Sequence, residues 1–374
     1  MRTSGLPASP LFSRRDFLGR TSQWSVLLAA YQFLPLPALA ESLARDSRVA
    51  QTPIVDKGFA SVRKVGDGLY ATISDTSKGL QTMCNGGFLI GKSASLLVEG
   101  FVSPAGASFQ FETLRTLSQG PIMGALDTHY HFDHTTGNSF YGANGIGVFG
   151  HAGVARRIYD SYVPMQGADK AAFLAPLEAR AKNAKTDVAR KHAAEFAATM
   201  GNILAIENSN VLAVPNRPFD PAKLPVKLDL GGLTAVVETH PGHSGTDLIV
   251  RVPEQNVVYA GDLLFNHMYP VTFDEQATVS GWRSTLKTFL SYDKDTIFIP
   301  GHGQIGGREA VQLSADLFDD IAAQAEKMYK SGVPAEEAAD QYEVPEKYKD
   351  VAIFAWSLSI GPTISKLYKE WGAK

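Results

Sequence analysis

The chain of 374 residues contains a single cysteine, Cys84, so it can build neither an internal disulfide framework nor a cysteine-rich zinc site. It has no long run of lysine or arginine, and its net charge is only −3. Nucleic acid is therefore not an expected partner, because phosphate recognition needs a concentrated basic face. There is no internal repeat of fixed period, which excludes solenoids and propellers. Apolar residues make up 44% and charged residues 20% of the sequence, an ordinary globular mixture that can bury a full core.

The first forty residues read as an export signal rather than as fold. Ser13-Arg14-Arg15-Asp16-Phe17-Leu18 resembles a twin-arginine motif. A modestly apolar stretch around Val26, Leu27 and Leu28 follows, and Ala38-Leu39-Ala40 offers a small-x-small cleavage site. The stretch is interrupted by Gln32, Pro35 and Pro37 and is too short to span a bilayer. The expectation is a periplasmic protein, passed through the twin-arginine export machinery and cleaved near Ala40. Residues 1–40 carry four basic residues and one acid, so the mature chain has a net charge of −6.

Residues 41–60 are expected as a polar linker, followed by one domain over 61–374. Short apolar runs bounded by turn residues predict strands at 68–73, 87–90, 95–98, 124–128, 234–239, 247–252, 257–260 and 296–299. Helix spacing appears from Phe109 to Leu117 and from Gly281 to Ser291. The Ala/Lys/Arg/Glu-rich stretch within 150–205 predicts a helical insertion of one or two helices, serving as a cover over a site or as a solvated surface pair. From about 306 to 374 a helical extension is expected, with an apolar stripe through Ala310, Leu313, Leu317, Ile321 and Met328 and a C-cap at Gly332. These helices could also form an oligomer contact. The fold class is α/β.

Chemistry concentrates in Thr128-His129-Tyr130-His131-Phe132-Asp133-His134. In extended backbone, residues two apart share a side, so His129 and His131 can reach one metal. Asp133 continues the alternation, His134 points differently, and these two can serve a second metal nearby. Two further histidines follow strands beside glycine, in Pro241-Gly242-His243-Ser244 and Pro300-Gly301-His302-Gly303, and Gly261-Asp262 follows another. Four such strand ends converging on one edge assemble a binuclear site. Imidazole and carboxylate without thiolate suit Zn²⁺ and tolerate Fe or Mn. Of the nine histidines, His151 and His192 read as structural or surface residues. His240, three before His243, is a candidate to support a ligand from behind. His267 is a candidate for substrate contact. Cys84 has no nucleophile context and reads as core.

This ordered set resembles the metallo-β-lactamase-fold hydrolase superfamily, from about Val65 to Gly306. The resemblance implies an αβ/βα sandwich with two Zn²⁺ ions at one edge. It places His129, His131 and His243 on the first, Asp133, His134 and His302 on the second, and Asp262 between them. Glu99 stands where the family often has an aspartate that supports a ligand, and Ser244-Gly245-Thr246-Asp247 departs from the family's usual loop.

The chemistry implied is hydrolysis of a small-molecule ester, thioester, lactone or related carbonyl compound by hydroxide generated at the metals, with Asp133 as the catalytic carboxylate that orients the nucleophile or shuttles its proton. A β-lactamase is the alternative within that chemistry. Exported lactamases of the superfamily tend to carry cysteine or serine at the Asp262 position, whereas an aspartate there is similar to glyoxalase II-like and lactonase-like members. Phosphodiester hydrolysis is disfavoured by the acidic mature chain. An alternative of another class is a non-catalytic metal-binding partner in a periplasmic, quinoprotein-type redox pathway.

Overall fold

The computed structural model describes residues 46–372; the export signal expected over 1–40 lies outside the described residues. Strands β1 (Val55–Asp56), β2 (Ala60–Gly66), β3 (Leu69–Ser74), β4 (Gly86–Ile90) and β5 (Ser95–Val98) form an antiparallel meander. The stretch expected as a linker is thus partly fold. Val55 and Asp56 pair with Val62 and Ser61, and Val49 is buried in the core, because a lone apolar residue in a polar run can still dock on a sheet.

Helix α1 (Pro104–Leu117) starts after Ser103, whose hydroxyl accepts from the Gly106 N–H, with proline at the first helical position. It returns the chain to β6 (Ile122–Leu126), parallel to β5. Short helices α2 (Phe132–Thr135) and α3 (Asn138–Ala143) lead to β7 (Val148–His151). The insertion comprises α4 (Val154–Tyr162), α5 (Lys170–Lys182) and α6 (Asp187–Ser209), and β8 (Arg217–Phe219) completes an eight-stranded sheet. Asp169 and Thr186 cap α5 and α6.

A five-stranded sheet follows: β9 (Val226–Asp229), β10 (Thr234–Thr239), β11 (Leu248–Val252), β12 (Val257–Phe265) and β13 (Ile297–His302), with α7 (Val279–Leu290) crossing between the last two. β12 and β13 are parallel and the others antiparallel. Helices α8 (Arg308–Lys330), α9 (Ala335–Gln341) and α10 (Ile360–Glu370) close the chain. The left-handed Gly332 (φ 77°) ends α8.

The two sheets face each other across one apolar core that includes Leu69, Leu89, Leu96, Val237, Val250, Tyr259 and Ile299. A second core lies between the eight-stranded sheet, α1 and α3, through Phe88, Leu97, Phe109, Leu114 and Tyr141. A third lies between the other sheet and α7, α8 and α10, through Trp282, Phe318 and Ile364. The result is the αβ/βα sandwich, helices outside and sheets inside. Because β12 is covered on both faces, all nine of its residues are buried.

The insertion is anchored at its two ends. Val154, Ile158 and Tyr162, four residues apart on α4, pack with Ile203, Leu204 and Ile206 of α6 against Tyr130 and Phe132. Between 171 and 200 only Ala181 and Ala197 are buried. The outer part of α6 reaches the C-terminal segment instead. His192 stacks on Trp356 at 4.7 Å and meets Asp340 at 3.1 Å, and Glu195 accepts from the Trp356 N–H.

Candidate metal centre

The candidate histidines lie at or beyond the C-terminal ends of β6, β10 and β13, and Asp262 lies within β12. Two tight backbone positions make this possible. Gly261 has φ 51°, and a Cβ there would lie 2.5 Å from Thr128 Oγ1. A Cβ on Gly301 would collide with Asp262 Oδ1. Asp262 does not follow its strand, as the sequence pattern suggests; β12 continues past a register shift at Gly261 to Phe265, carrying the carboxylate into the sheet edge.

The His/Asp motif is extended only as far as His131 (φ −60°, ψ 150°) and then turns into α2. The expected alternation therefore stops before Asp133. The helical turn, rather than the pleat, places Asp133 and His134 beside His302 as a second cluster, with the His134 ring 4.2 Å from that of His129.

Two buried clusters result: His129, His131, His243 and Asp262 in one, and Asp133, His134 and His302 in the other. Within the first, His131 Nδ1 lies 3.0 Å from His129 Nε2 and 2.8 Å from His243 Nε2. In the second, His302 Nε2 and His134 Nε2 lie 3.2 and 3.5 Å from Asp133 Oδ2. Asp262 joins them. Its Oδ2 faces His243 Nε2 at 3.3 Å and His129 Nε2 at 3.9 Å, while its Oδ1 faces His134 Nε2 at 3.2 Å and His302 Nε2 at 3.4 Å.

The nitrogens turned away from the centre are engaged. His243 Nδ1 donates to the Val271 carbonyl at 2.8 Å. Thr128 Oγ1 donates to Glu99 Oε1 at 2.6 Å, so its oxygen accepts from His129 Nδ1 at 3.1 Å. Glu99 Oε1 also lies 3.2 Å from His134 Nδ1, and Glu99 holds a left-handed backbone (φ 78°) to aim there. His131 Nε2 faces Asp274 Oδ2 at 3.4 Å.

This donor set fits a metal. With the outer nitrogens of His129 and His243 hydrogen-bonded and His131 Nε2 turned to Asp274, the three histidines of the first cluster aim their other nitrogens at one another, an arrangement that a cation among them stabilises. His134 Nε2 and Asp262 Oδ1 are buried without a hydrogen-bond partner. At the second cluster the field also favours positive charge. Burial alone would push the His302 imidazole down, yet Asp262 and Asp133 hold it up at about 9.

Other candidates fall elsewhere. His240 Nε2 pairs with Glu238 at 3.2 Å and its ring packs on Phe289, both outside the two clusters. His267 is half-buried in a left-handed conformation (φ 55°), and its carbonyl accepts from the Ala352 N–H. His151 accepts from the Gly153 N–H at the end of β7. Cys84 is fully buried and its thiol donates to the Asp133 carbonyl at 3.0 Å; burial pushes that thiol up.

Three residues near the site escape sequence reasoning. Asn85 donates to the Pro300 and Gly303 carbonyls, holding the turn that carries His302. Glu207 of α6 is buried against Thr136, and burial raises its carboxyl to about 7. Asp274 reaches His131 from a loop more than a hundred residues on. None sits in a local motif, so spacing offers no signal for them.

The family model of the Metallo-beta-lactamase superfamily matches residues 80–302. Uncharacterized proteins of Mycobacterium bovis and Mycobacterium tuberculosis are 33% identical over 85 residues, 21% of this chain and 37% of theirs. The chain thus spans little more than a third of the length of the curated relatives it matches. The solved structure of the stereoselective inverting sec-alkylsulfatase Pisa1 from Pseudomonas sp. superposes with a TM-score of 0.56 at 16% identity, over 84% of this chain and 50% of that one. The DIM-1 metallo-beta-lactamase gives 0.49 at 16% identity, over 70% and 98%. At such identities the likeness is one of fold.

Proposed function

The chain belongs to the metallo-beta-lactamase superfamily, whose members are typically hydrolases, and from that premise we propose that it is a binuclear, metal-dependent hydrolase of an ester, thioester, lactone or related carbonyl substrate. One observation carries the reading: the Asp262 carboxylate presents one oxygen to each of two buried histidine clusters. We assign His129, His131 and His243 to a first ion, Asp133, His134 and His302 to a second, and Asp262 to both. Zinc is the metal proposed, since imidazole and carboxylate donors suit it.

When bound, such ions polarise a carbonyl oxygen and bring the pKa of water toward neutrality. The protein's part is placement and proton handling. Asp133 directs Oδ2 at His302 and His134, and Oδ1 is the atom we assign to receive the proton of the attacking water. The Val271 carbonyl, Thr128 and Glu99 fix which nitrogen each of three histidines presents. Phe273, exposed and stacked on His131 at 5.1 Å, offers an apolar platform at the entrance.

The test is a hydrolysis screen of zinc-loaded mature protein on esters, thioesters, lactones, β-lactams, phosphodiesters and alkyl sulfates. Esters or thioesters should be turned over fastest. With ions bound, Asp262 would take coordination space that a β-lactam's leaving nitrogen or carboxylate would otherwise use, so β-lactam hydrolysis should be weak. Penicillin or carbapenem kcat/KM of about 10⁴ M⁻¹s⁻¹ or more would replace this reading with a β-lactamase. No turnover in any class would favour a non-catalytic metal-binding partner. We also propose that the protein is exported to the periplasm by its Arg14-Arg15 signal and trimmed near Ala40, which N-terminal sequencing of the exported form tests.

A further inference from the structure

Asp274 is a fully buried carboxylate that the hydrolytic roles above leave unused, and it is held on every side. Its Oδ1 accepts from the Gln276 N–H at 2.7 Å. Its Oδ2 accepts from the Tyr130 hydroxyl at 2.5 Å and from Arg157 Nη2 at 2.8 Å. Its backbone carbonyl accepts from Lys366 Nζ at 2.6 Å. Arg157 comes from α4, the first helix of the insertion. Its guanidinium lies 4.6 Å over the Tyr130 ring and also pairs with the exposed Glu275. A buried carboxylate is costly unless it is paired and placed with care, and here the placement aims Oδ2 at His131 Nε2, 3.4 Å away. That nitrogen is buried and, among the described residues, makes no hydrogen bond, so the Asp274 carboxylate is the charged group it faces.

We propose that Asp274, clamped by Arg157 and Tyr130, is a positioning residue for the first cluster: it holds His131 so that Nδ1, not Nε2, faces His129 and His243. This rests on reading the clusters as metal sites. A ligand histidine normally donates its outer N–H to a carboxylate or carbonyl, which fixes the ring and raises the basicity of the donor nitrogen. His243 has the Val271 carbonyl, His129 has Thr128 and His134 has Glu99. Asp274 is the corresponding partner for His131. Through Arg157 it also makes the seating of the insertion and the strength of metal binding depend on each other, because α4 supplies the guanidinium that grips Asp274 Oδ2 at 2.8 Å.

Metal-depleted protein is titrated with zinc against a chromophoric chelator, in a His302→Ala background that weakens the second cluster so that the first is read alone. Cobalt(II) absorption in the same variants reports coordination geometry. Asp274→Ala should weaken first-cluster binding by about 10–100-fold and alter the cobalt spectrum. Asp274→Asn, which keeps an acceptor but loses the charge, should fall between it and the parent. Arg157→Gln should shift affinity in the same direction, and Glu275→Gln should match the parent. Affinity within about twofold of the parent for Asp274→Ala, with an unchanged cobalt spectrum, would overturn the proposal. If Asp274→Ala does not fold, unchanged affinity in both Asp274→Asn and Arg157→Gln overturns it equally. A parent that holds no zinc or cobalt removes the metal reading and this proposal together, whereas a loaded parent with indifferent Asp274 variants removes only the latter.

Discussion

At the scale of residues, the centre gathers seven buried or half-buried donor residues into two clusters, and its parts differ in how open they are. His302 is 18% exposed, whereas the side chains of His134 and His243 are fully buried, so the second cluster is the more open. Mature protein loaded with zinc should carry about two ions, since each needs about four donors and seven converge here. His302→Ala should lose the second ion on dialysis while keeping the first, and Asp262→Ala should weaken both, as read by elemental analysis. One ion or fewer in the loaded parent would count against a binuclear centre. Glu207 makes a separate prediction. Burial raises its carboxyl from 4.5 to about 7, so the folded state binds its proton more tightly than the unfolded chain does. Its contribution is therefore full below about pH 4.5 and is lost as pH rises through 7, amounting to about 3 kcal/mol. Glu207→Gln should gain stability over the parent at pH 8 and not at pH 4.5, measured by denaturant unfolding of metal-free protein; a difference independent of pH would contradict this.

At the scale of elements, the insertion divides into an anchored and an extended part. Helix α4 and the last turns of α6 belong to the core under Tyr130 and Phe132. The stretch from 171 to 200 contributes only two buried residues, and its main attachment outside the hairpin is to Trp356 and Asp340. Removing Ala171–Met200 should therefore leave a cooperatively folding protein with its metal content intact. Trp356 should become more exposed, seen as a red shift in its emission. If this arm covers the site, substrate preference changes as well; unchanged kinetics and unchanged mass in solution would leave it a surface feature. The metal motif gives the opposite lesson. A five-residue pattern predicted to stay extended breaks into helix after His131, because α2 and Asp262 must both fit against the ends of two sheets.

At the scale of the whole molecule, the centre exists only where the sheets meet. Leu248 N–H donates to the Thr128 carbonyl at 2.7 Å and Asn85 N–H to the Gly301 carbonyl at 2.7 Å, each tie joining one sheet to loops of the other beside a ligand. Such a centre is complete only when both halves are docked. This suits the proposed twin-arginine route, which carries folded protein. Replacing Arg14 and Arg15 together by lysine should strand the precursor in the cytoplasm, seen by fractionation. The exported form of the parent should begin near Glu41, and an exported protein that retains residues 1–40 would refute cleavage.

Much of this was decided by local sequence. Strand runs such as Ser95–Val98 and Thr234–Thr239, the α1 and α8 helices and the Gly332 cap follow from periodicity and from glycine's access to left-handed backbone, both properties of neighbouring residues. The motif from His129 to His134, with His243, Asp262 and His302 beside glycines, marks metal chemistry before any fold is drawn, because those residue types have few other reasons to recur after strands. Tertiary structure decided the rest. It set the helical turn that places Asp133 and His134 in a second cluster beside His302, the pairing of His240 with Glu238, the docking of α6 on Trp356, and the supports at Asn85, Glu207 and Asp274. Apart from the local α2 turn and the His240–Glu238 pair, two residues apart, each depends on groups distant in the chain whose burial makes an unpaired charge or lone pair costly, and that cost arises only when the two sheets and the insertion close around them.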